Sequence, residues 1–187
     1  FDIPCSSYTF YTLSSFDILN DRSVTAETFM LGYSTTLYVS RDNLYMAYQK
    51  ESRGPWTAGA AEERAAPAGV VQEEATIIHR FEIDRGEISY AGMGEVAGRL
   101  LNQFSMDEWE GNLRVATTVS GWAQTNSYQY RQADFYQYST VSVLGKDMRT
   151  LGELRYIAPD EQIYATRFVG DRLYMVTFRQ VDPLFII

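Results

Sequence analysis

The chain has a single cysteine and a single histidine, and this scarcity excludes several kinds of site. Cys5 has no intrachain partner, so the 187 residues contain no disulfide framework. A metal centre built on imidazole or thiolate ligands needs several of them at fixed spacing, and His79 alone does not supply this. We therefore expect neither a metal nor another cofactor. We interpret His79 as an ordinary strand residue that is satisfied by a hydrogen bond.

Basic residues and long apolar runs are also scarce. The chain has 16 lysine and arginine residues against 24 aspartate and glutamate residues, which gives a net charge of −8. An acidic surface without a basic stripe repels phosphate backbones, so we expect no nucleic-acid partner. No stretch approaches the roughly 18 apolar residues of a membrane-spanning helix. The chain begins and ends abruptly, so we expect a fragment, and its lack of a signal peptide is uninformative.

Aromatic residues are abundant, with 14 tyrosines and 10 phenylalanines. They fit the half-buried surface of a pleated sheet, so the composition predicts an all-β protein. Three segments repeat one pattern of strand, tight polar turn and strand, at 34–48, 100–118 and 163–178. Asn, Asp and Gly tolerate the positive φ that tight hairpins demand. The candidate turn residues are Asp107, Asn112, Gly170 and Asp171.

Two further strand-like runs flank each hairpin, and this wiring is typical of a β-propeller. We predict a single domain over 1–187, a partial β-propeller of about three four-stranded antiparallel blades. Their predicted limits are roughly 20–83, 86–144 and, incomplete, 148–187. Segments 51–74 and 120–137 each lengthen the repeat between the third and fourth strands of a predicted blade, so we interpret them as loop insertions. An open arc has exposed blade edges, which predict self-association.

Several runs resemble a family of secreted bacterial and archaeal proteins whose β-propeller domain is distantly related to WD40 repeats. The run Leu100–Trp109, followed by Gly111–Thr118, carries the resemblance most clearly. Segments 76–81 and 167–185 also fit, so the resemblance covers most of residues 30–187. It implies an extracellular or cell-surface propeller within a larger chain. It implies no established activity and no catalytic residue.

Residues 122–138 are the candidate binding segment, because aromatic rings interleaved with amides suit contact with a carbohydrate or a peptide. The candidate ligand-binding side chains are Trp122, Tyr128, Tyr130 and Tyr136. The alternative is a long hairpin extension whose rings cover the neighbouring blade. The acidic cluster of Asp107, Glu108 and Glu110 is interpreted as turn carboxylates that cap backbone N–H groups, in preference to a calcium site.

These patterns predict a non-catalytic binding or scaffold module at the cell exterior, with an unidentified protein or glycan as ligand. One alternative is a structural component of the cell surface without a discrete ligand. Another is a carboxylate-dependent hydrolase acting on glycans. Its acids would be Glu27, Glu87 and Glu153, which we interpret as residues of the inner strands, one in each blade.

Overall fold

The computed structural model describes residues 9–16, 18–19, 24–31, 36–50, 74–127, 130–178 and 184–187, and the side chains at 24, 122–127 and 130–134 lie outside that description. This part of the chain forms fourteen strands and one short 3₁₀ helix, Gln103–Ser105. None of its helical residues forms a segment with the length and apolar character that crossing a bilayer requires. The strands are β1 (Thr9–Phe16), β2 (Val24–Leu31), β3 (Thr36–Val39), β4 (Asn43–Gln49), β5 (Ala75–Asp84), β6 (Glu87–Ala97), β7 (Arg99–Leu100), β8 (Met106–Trp109), β9 (Asn112–Ser127), β10 (Tyr130–Leu144), β11 (Thr150–Ile157), β12 (Gln162–Val169), β13 (Arg172–Phe178) and β14 (Leu184–Ile186).

The strands form four small antiparallel sheets that follow one another along the chain, as the all-β prediction requires. Strands β1 and β2 pair in the first sheet, and β3 to β6 form the second in chain order. In the third sheet, β7 and β8 both pair with β9, which is followed by β10 and β11. The fourth sheet consists of β12, β13 and β14. Successive meanders of this kind are the blades of a propeller.

The sheets begin and end at other places than the predicted blades. The second sheet spans 36–97 and the third spans 99–157, where the prediction places limits at 83–86 and 144–148. Asp84 pairs with Glu87 across a two-residue turn, and a turn this tight keeps β5 and β6 in one sheet. The chain passes between these two sheets at Gly98 instead, where φ is +84°.

The predicted insertion at 120–137 is largely regular structure. Strands β9 and β10 pair without interruption from the Leu113–Leu144 pair out to the Ser127–Tyr130 pair. The segment is therefore a long hairpin and not a loop. Its polar composition favours a loop, although polar residues can also form strands. Of the other predicted insertion, 51–74, only residue 74 lies within the described residues.

Three apolar clusters lie between successive sheets and pack them face to face. The cluster between the first and second sheets centres on Phe81, whose ring lies 4.5 Å from that of Phe29. The cluster between the second and third sheets joins Ile78 to Val115, and the next joins Ala116 to Met175. Each fully buried large apolar side chain contributes about 1.5–3 kcal/mol. Val115 and Ala116 point to opposite faces of β9, so this one strand contributes to two interfaces.

The inner edges of the second, third and fourth sheets, which are formed by β3, by β7 with β8, and by β12, converge. The 3₁₀ helix, which precedes β8, contacts both β3 and β12. The Ser105 and Thr166 hydroxyls lie 2.8 Å apart at the second of these contacts. In a propeller, the converging edges surround the central channel. In these three sheets the innermost strands are therefore β3, β7 with β8, and β12. The outer strands are β6 and β11, and β2 packs beside β6.

Candidate functional site

A groove of about 530 Å³ lies where these inner edges converge. Its walls come from β3, from the 3₁₀ helix with β8, and from β12. Concave sites with apolar walls and a few convergent polar groups are where proteins most often bind ligands. The lining residues are Leu37, Tyr38, Val39, Gln103, Phe104, Met106, Asp107, Arg167 and Phe168.

The apolar part of the groove is well exposed. Leu37, Val39 and Phe104 have 46%, 51% and 51% of their surface open to solvent. Leu37 and Val39 alternate with the half-buried Tyr38 along β3, so both project to the same side of the strand. These side chains provide apolar surface on rigid elements, which a ligand would bury without ordering a loop.

Arg167 is the exposed cation of the groove. Its guanidinium carbon lies 5.7 Å from the centroid of the Phe104 ring, a cation–π distance. It takes part in none of the salt bridges found among the described residues. The ring therefore positions a guanidinium whose charge is not balanced within this part of the chain.

Asp107, the groove's carboxylate, is already paired. Arg114 donates to its Oδ2 atom through Nε at 3.1 Å and through Nη2. The same Nη2 donates to the Gly170 carbonyl at 2.8 Å. The guanidinium also lies 5.2 Å from the Trp109 ring and 4.8 Å from the Phe168 ring. Arg114 therefore joins the third and fourth sheets and neutralises Asp107.

The structure corrects the interpretation of the acidic cluster as a turn. Asp107 lies within β8, and the turn that follows consists of Glu110 and Gly111, both with positive φ. Asn112 is the first residue of β9, paired with Trp109. Periodicity predicts a continuous strand over 100–106. In the structure the 3₁₀ helix interrupts this segment, and the strand that pairs next to the turn is β8, which begins at Met106.

Gly170 and Asp171 form the turn between β12 and β13, and Gly170 has a φ of +59°. Glycine adopts this conformation at little steric cost. The turn also supplies the Gly170 carbonyl to Arg114, so its backbone contributes to the interface between the third and fourth sheets.

Glu108 points away from Asp107 because neighbouring residues of a strand face opposite sides. Its Oε2 atom accepts hydrogen bonds from Ser40 Oγ at 2.6 Å, Asn43 Nδ2 at 2.9 Å and Tyr45 Oη at 2.9 Å. Its backbone N–H donates to Tyr38 Oη at 3.0 Å. Glu108 is thus a junction between the second and third sheets that sequence reasoning missed. Had residues 106–109 been predicted as a strand, the alternation of side chains would have placed the Asp107 and Glu108 carboxylates on opposite faces of the sheet.

Burial and the contact with Glu108 shift the pKa values of the two tyrosines at this junction. Burial, with the hydrogen bond to the Glu108 carboxylate, raises the pKa of Tyr45. Burial also raises the pKa of Tyr38, against a smaller lowering by the backbone hydrogen bond of Glu108. Both phenols stay protonated at neutral pH, so Tyr45 keeps the proton that it donates to the carboxylate.

Arg80 extends the same junction. It is buried, and its Nε donates to Asn43 Oδ1 at 2.9 Å while its Nη2 donates to Glu82 Oε1 at 2.9 Å. Its Nη1 donates to the carbonyl of Lys146, in the loop between β10 and β11. The guanidinium is therefore satisfied from both sheets, which the burial of a charge requires.

His79 is buried in the middle of β5, and its imidazole Nδ1 lies 3.2 Å from Tyr90 Oη. Nε2 lies 3.4 Å from Tyr48 Oη, and the Tyr48 ring stacks on the imidazole at 5.7 Å. Burial lowers the pKa of His79 to about 4, so the ring is neutral at pH 7. These contacts describe a strand histidine held by hydrogen bonds within its own sheet.

None of the predicted aromatic binding residues that the structure describes is among the groove's lining residues. Trp122 is on β9 and Tyr130 on β10, with side chains that are not described, and Tyr128 lies outside the described residues. Tyr136 is half-buried, and its ring lies 6.2 Å from that of Tyr138. A ligand site on this hairpin stays a prediction.

The three glutamates of the hydrolase alternative lie on outer strands, which corrects the inner-strand interpretation. Glu27 is on β2, Glu87 on β6 and Glu153 on β11, each the last strand of its sheet. Each sheet begins one strand later than the predicted blade, so the strand interpreted as the innermost of one blade is the last strand of the sheet before it. Glu153 faces Arg155, with Oε2 and Nε 3.5 Å apart. The described residues include no cluster of three or more His, Cys, Asp and Glu side chains that is arranged to hold a metal ion.

Comparison with known proteins identifies the family. The sequence matches the model of the beta propeller domain over residues 2–187. It is 38% identical over 114 residues to an uncharacterised protein of Methanocaldococcus jannaschii, and 40% identical over 114 residues to one of Archaeoglobus fulgidus. Each alignment covers 61% of this chain and 16% of the relative's length. Together with the four consecutive antiparallel sheets, the match shows that this chain belongs to the beta propeller domain family.

Proposed function

We propose that this chain is an extracytoplasmic binding or scaffold module that holds its ligand in the groove between β3, β8 and β12. The observation that carries the proposal is the groove itself, which combines apolar and polar side chains from three converging elements. Most of the groove's side chains are positioned by the strands β3, β8 and β12, so a ligand could bind without a rearrangement of the backbone.

The lining chemistry supports recognition more than bond cleavage. Asp107 is the single carboxylate among the residues that line the groove, and both of its contacts with Arg114 occupy one oxygen. Arg114 holds this carboxylate within the contact between the third and fourth sheets. Hydrolysis of a glycoside usually needs two carboxylates, and the three glutamates of the hydrolase alternative do not line the groove.

The extracytoplasmic part of the proposal is supported by the resemblance to secreted proteins. It is tested by treating intact cells that produce the natural protein with protease, followed by immunoblotting. We expect the propeller to be digested while a cytosolic marker survives. Protection of the propeller until the cells are lysed would contradict this location.

The binding role is tested with peptide and glycan arrays probed by the full chain. For Leu37→Arg we expect the array signal to fall at least about tenfold, because a long charged side chain would occupy the groove. Leu151→Arg is the matched control, since Leu151 lies on the outer strand β11 and is 64% exposed. Arrays without any signal, or equal losses in both variants, would contradict the proposal.

A further inference from the structure

We infer that the groove takes an extended peptide that pairs with the open edge of β3 and places an aspartate or glutamate side chain on Arg167. This inference rests on the proposed function and narrows it to one class of ligand. Three observations carry it: the unpaired edge, the stacked guanidinium and the neutralised Asp107.

The edge of β3 is open to a further strand. β3 pairs with β4, and no other strand of the described residues pairs with it. An edge strand presents a row of backbone N–H and C=O groups that an extended peptide can complete. The exposed Leu37 and Val39 flank this edge within the groove, so alternate side chains of an added strand would contact apolar surface.

Arg167 supplies the charge selectivity. Stacking on Phe104 restricts the guanidinium while its N–H edge remains able to bind a carboxylate through two parallel hydrogen bonds. Asp107 does not compete for it, because Arg114 binds that carboxylate. The chain as a whole carries a charge of −8, so recognition of an acidic ligand must come from this short-range pairing and not from long-range attraction.

A peptide fits this groove better than a glycan does. Five of the nine lining residues are Leu37, Val39, Phe104, Met106 and Phe168, which offer no hydrogen bonds through their side chains to sugar hydroxyls. The open edge of β3 is complementary to backbone amides, which a glycan without N-acetyl groups lacks. The ligand that complements this groove is therefore an extended protein segment with apolar side chains at alternate positions and one carboxylate.

The test uses a library of hexapeptides with capped termini, in which apolar residues alternate with polar ones and each sequence occurs with a central Glu and with Gln in its place. Binding to the full chain is measured by fluorescence anisotropy. We expect the Glu peptides to bind at least about tenfold more tightly than the Gln peptides, as a charge-assisted bidentate pair requires. N-methylation of alternate backbone amides is expected to weaken binding by a similar factor.

Arg167→Gln should abolish the preference for Glu, whereas Arg172→Gln, at an exposed position at the start of β13, should preserve it. Thermal melts of both variants verify that they fold. A preference that survives Arg167→Gln, equal binding of Glu and Gln peptides, or tolerance of N-methylation would overturn the inference. Binding of a glycan that is sensitive to Leu37→Arg would also overturn it while leaving the proposed binding role intact. Absence of binding to both arrays and library would contradict both.

Discussion

At the scale of single residues, three buried or half-buried charged groups determine how the sheets meet. Arg80 and Glu108 join the second sheet to the third, and Arg114 joins the third to the fourth. Apolar contacts between sheet faces are nondirectional and tolerate sliding. Hydrogen bonds to a charged group need defined partners, so these side chains select one relative placement of each sheet pair.

Glu108→Ala should destabilise the chain by about 3 kcal/mol, because it leaves three donors without their acceptor in a largely buried junction. Asn43 and Tyr45 are 4% and 1% exposed, so water does not readily replace the carboxylate. Glu108→Gln keeps an acceptor oxygen and should cost less. Urea unfolding followed by tryptophan fluorescence measures the difference.

Glu110→Ala is the control for this prediction. Glu110 is exposed in the adjacent turn, two residues after Glu108. Equal losses for the Glu108 and Glu110 alanine variants would show that the junction does not depend on the Glu108 carboxylate.

His79 should make stability depend on pH. Its pKa is lowered from 6.5 to about 4 on folding, so between these values the unfolded chain binds a proton that the folded chain does not. The free energy of unfolding should therefore fall as the pH drops from about 6.5 to 4, by about 3 kcal/mol, and show no further contribution from His79 below that. His79→Gln lacks this titration, so the difference between the two unfolding curves should vary across this window. A difference that is constant with pH would contradict the expectation.

At the scale of elements, the passage from one sheet to the next depends on a glycine. A Cβ atom on Gly98 would lie 2.6 Å from the Thr118 carbonyl oxygen, and its φ is +84°. Gly98→Ala should therefore lower the free energy of unfolding by about 3 kcal/mol. Gly152→Ala, on β11, is the matched control, because a Cβ there meets nothing within 4 Å. Equal stability of the two variants in urea unfolding would contradict the role of Gly98.

The β9–β10 hairpin should be dispensable for folding beyond its buried base. Val119 and Tyr138 are buried and pair with each other, while the segment beyond them is an extension of a two-stranded ribbon. Replacing residues 121–136 by Asn-Gly keeps the pairing of Ser120 with Gln137 and should change the melting temperature by only a few degrees. If this variant also loses every array ligand while Leu37→Arg keeps them, the ligand site lies on the hairpin and not in the groove.

At the scale of the whole molecule, the open sheet edges should cause self-association. β14 pairs with β13, and its other edge meets no strand among the described residues. Leu184 and Ile186 on this strand are each 59% exposed. We expect light scattering after size-exclusion chromatography to show a dimer that dissociates on dilution, and Ile186→Lys to shift it toward the monomer, because charge on an edge strand opposes pairing. A monomer at every concentration would contradict this.

Much of the architecture was predictable from the chain because its signals are local. The turns at Arg85–Gly86 and Gly170–Asp171 and the two-residue alternation beside them indicate antiparallel hairpins, and the hairpins follow one another closely enough to predict small successive sheets. The resemblance of 100–118 and 167–185 to a β-propeller family is confirmed by the beta propeller domain match.

Tertiary structure alone decided at which strand each sheet begins and where the functional groups meet. Glu108 binds Ser40, which lies 68 residues away, and Arg114 reaches Gly170 over 56 residues. A two-residue period shows that side chains alternate, but it does not state which neighbouring sheet each face will meet. The groove follows the same rule: β3, β8 and β12 are distant in sequence, and only the packing of three sheets brings Leu37, Phe104 and Arg167 to one surface.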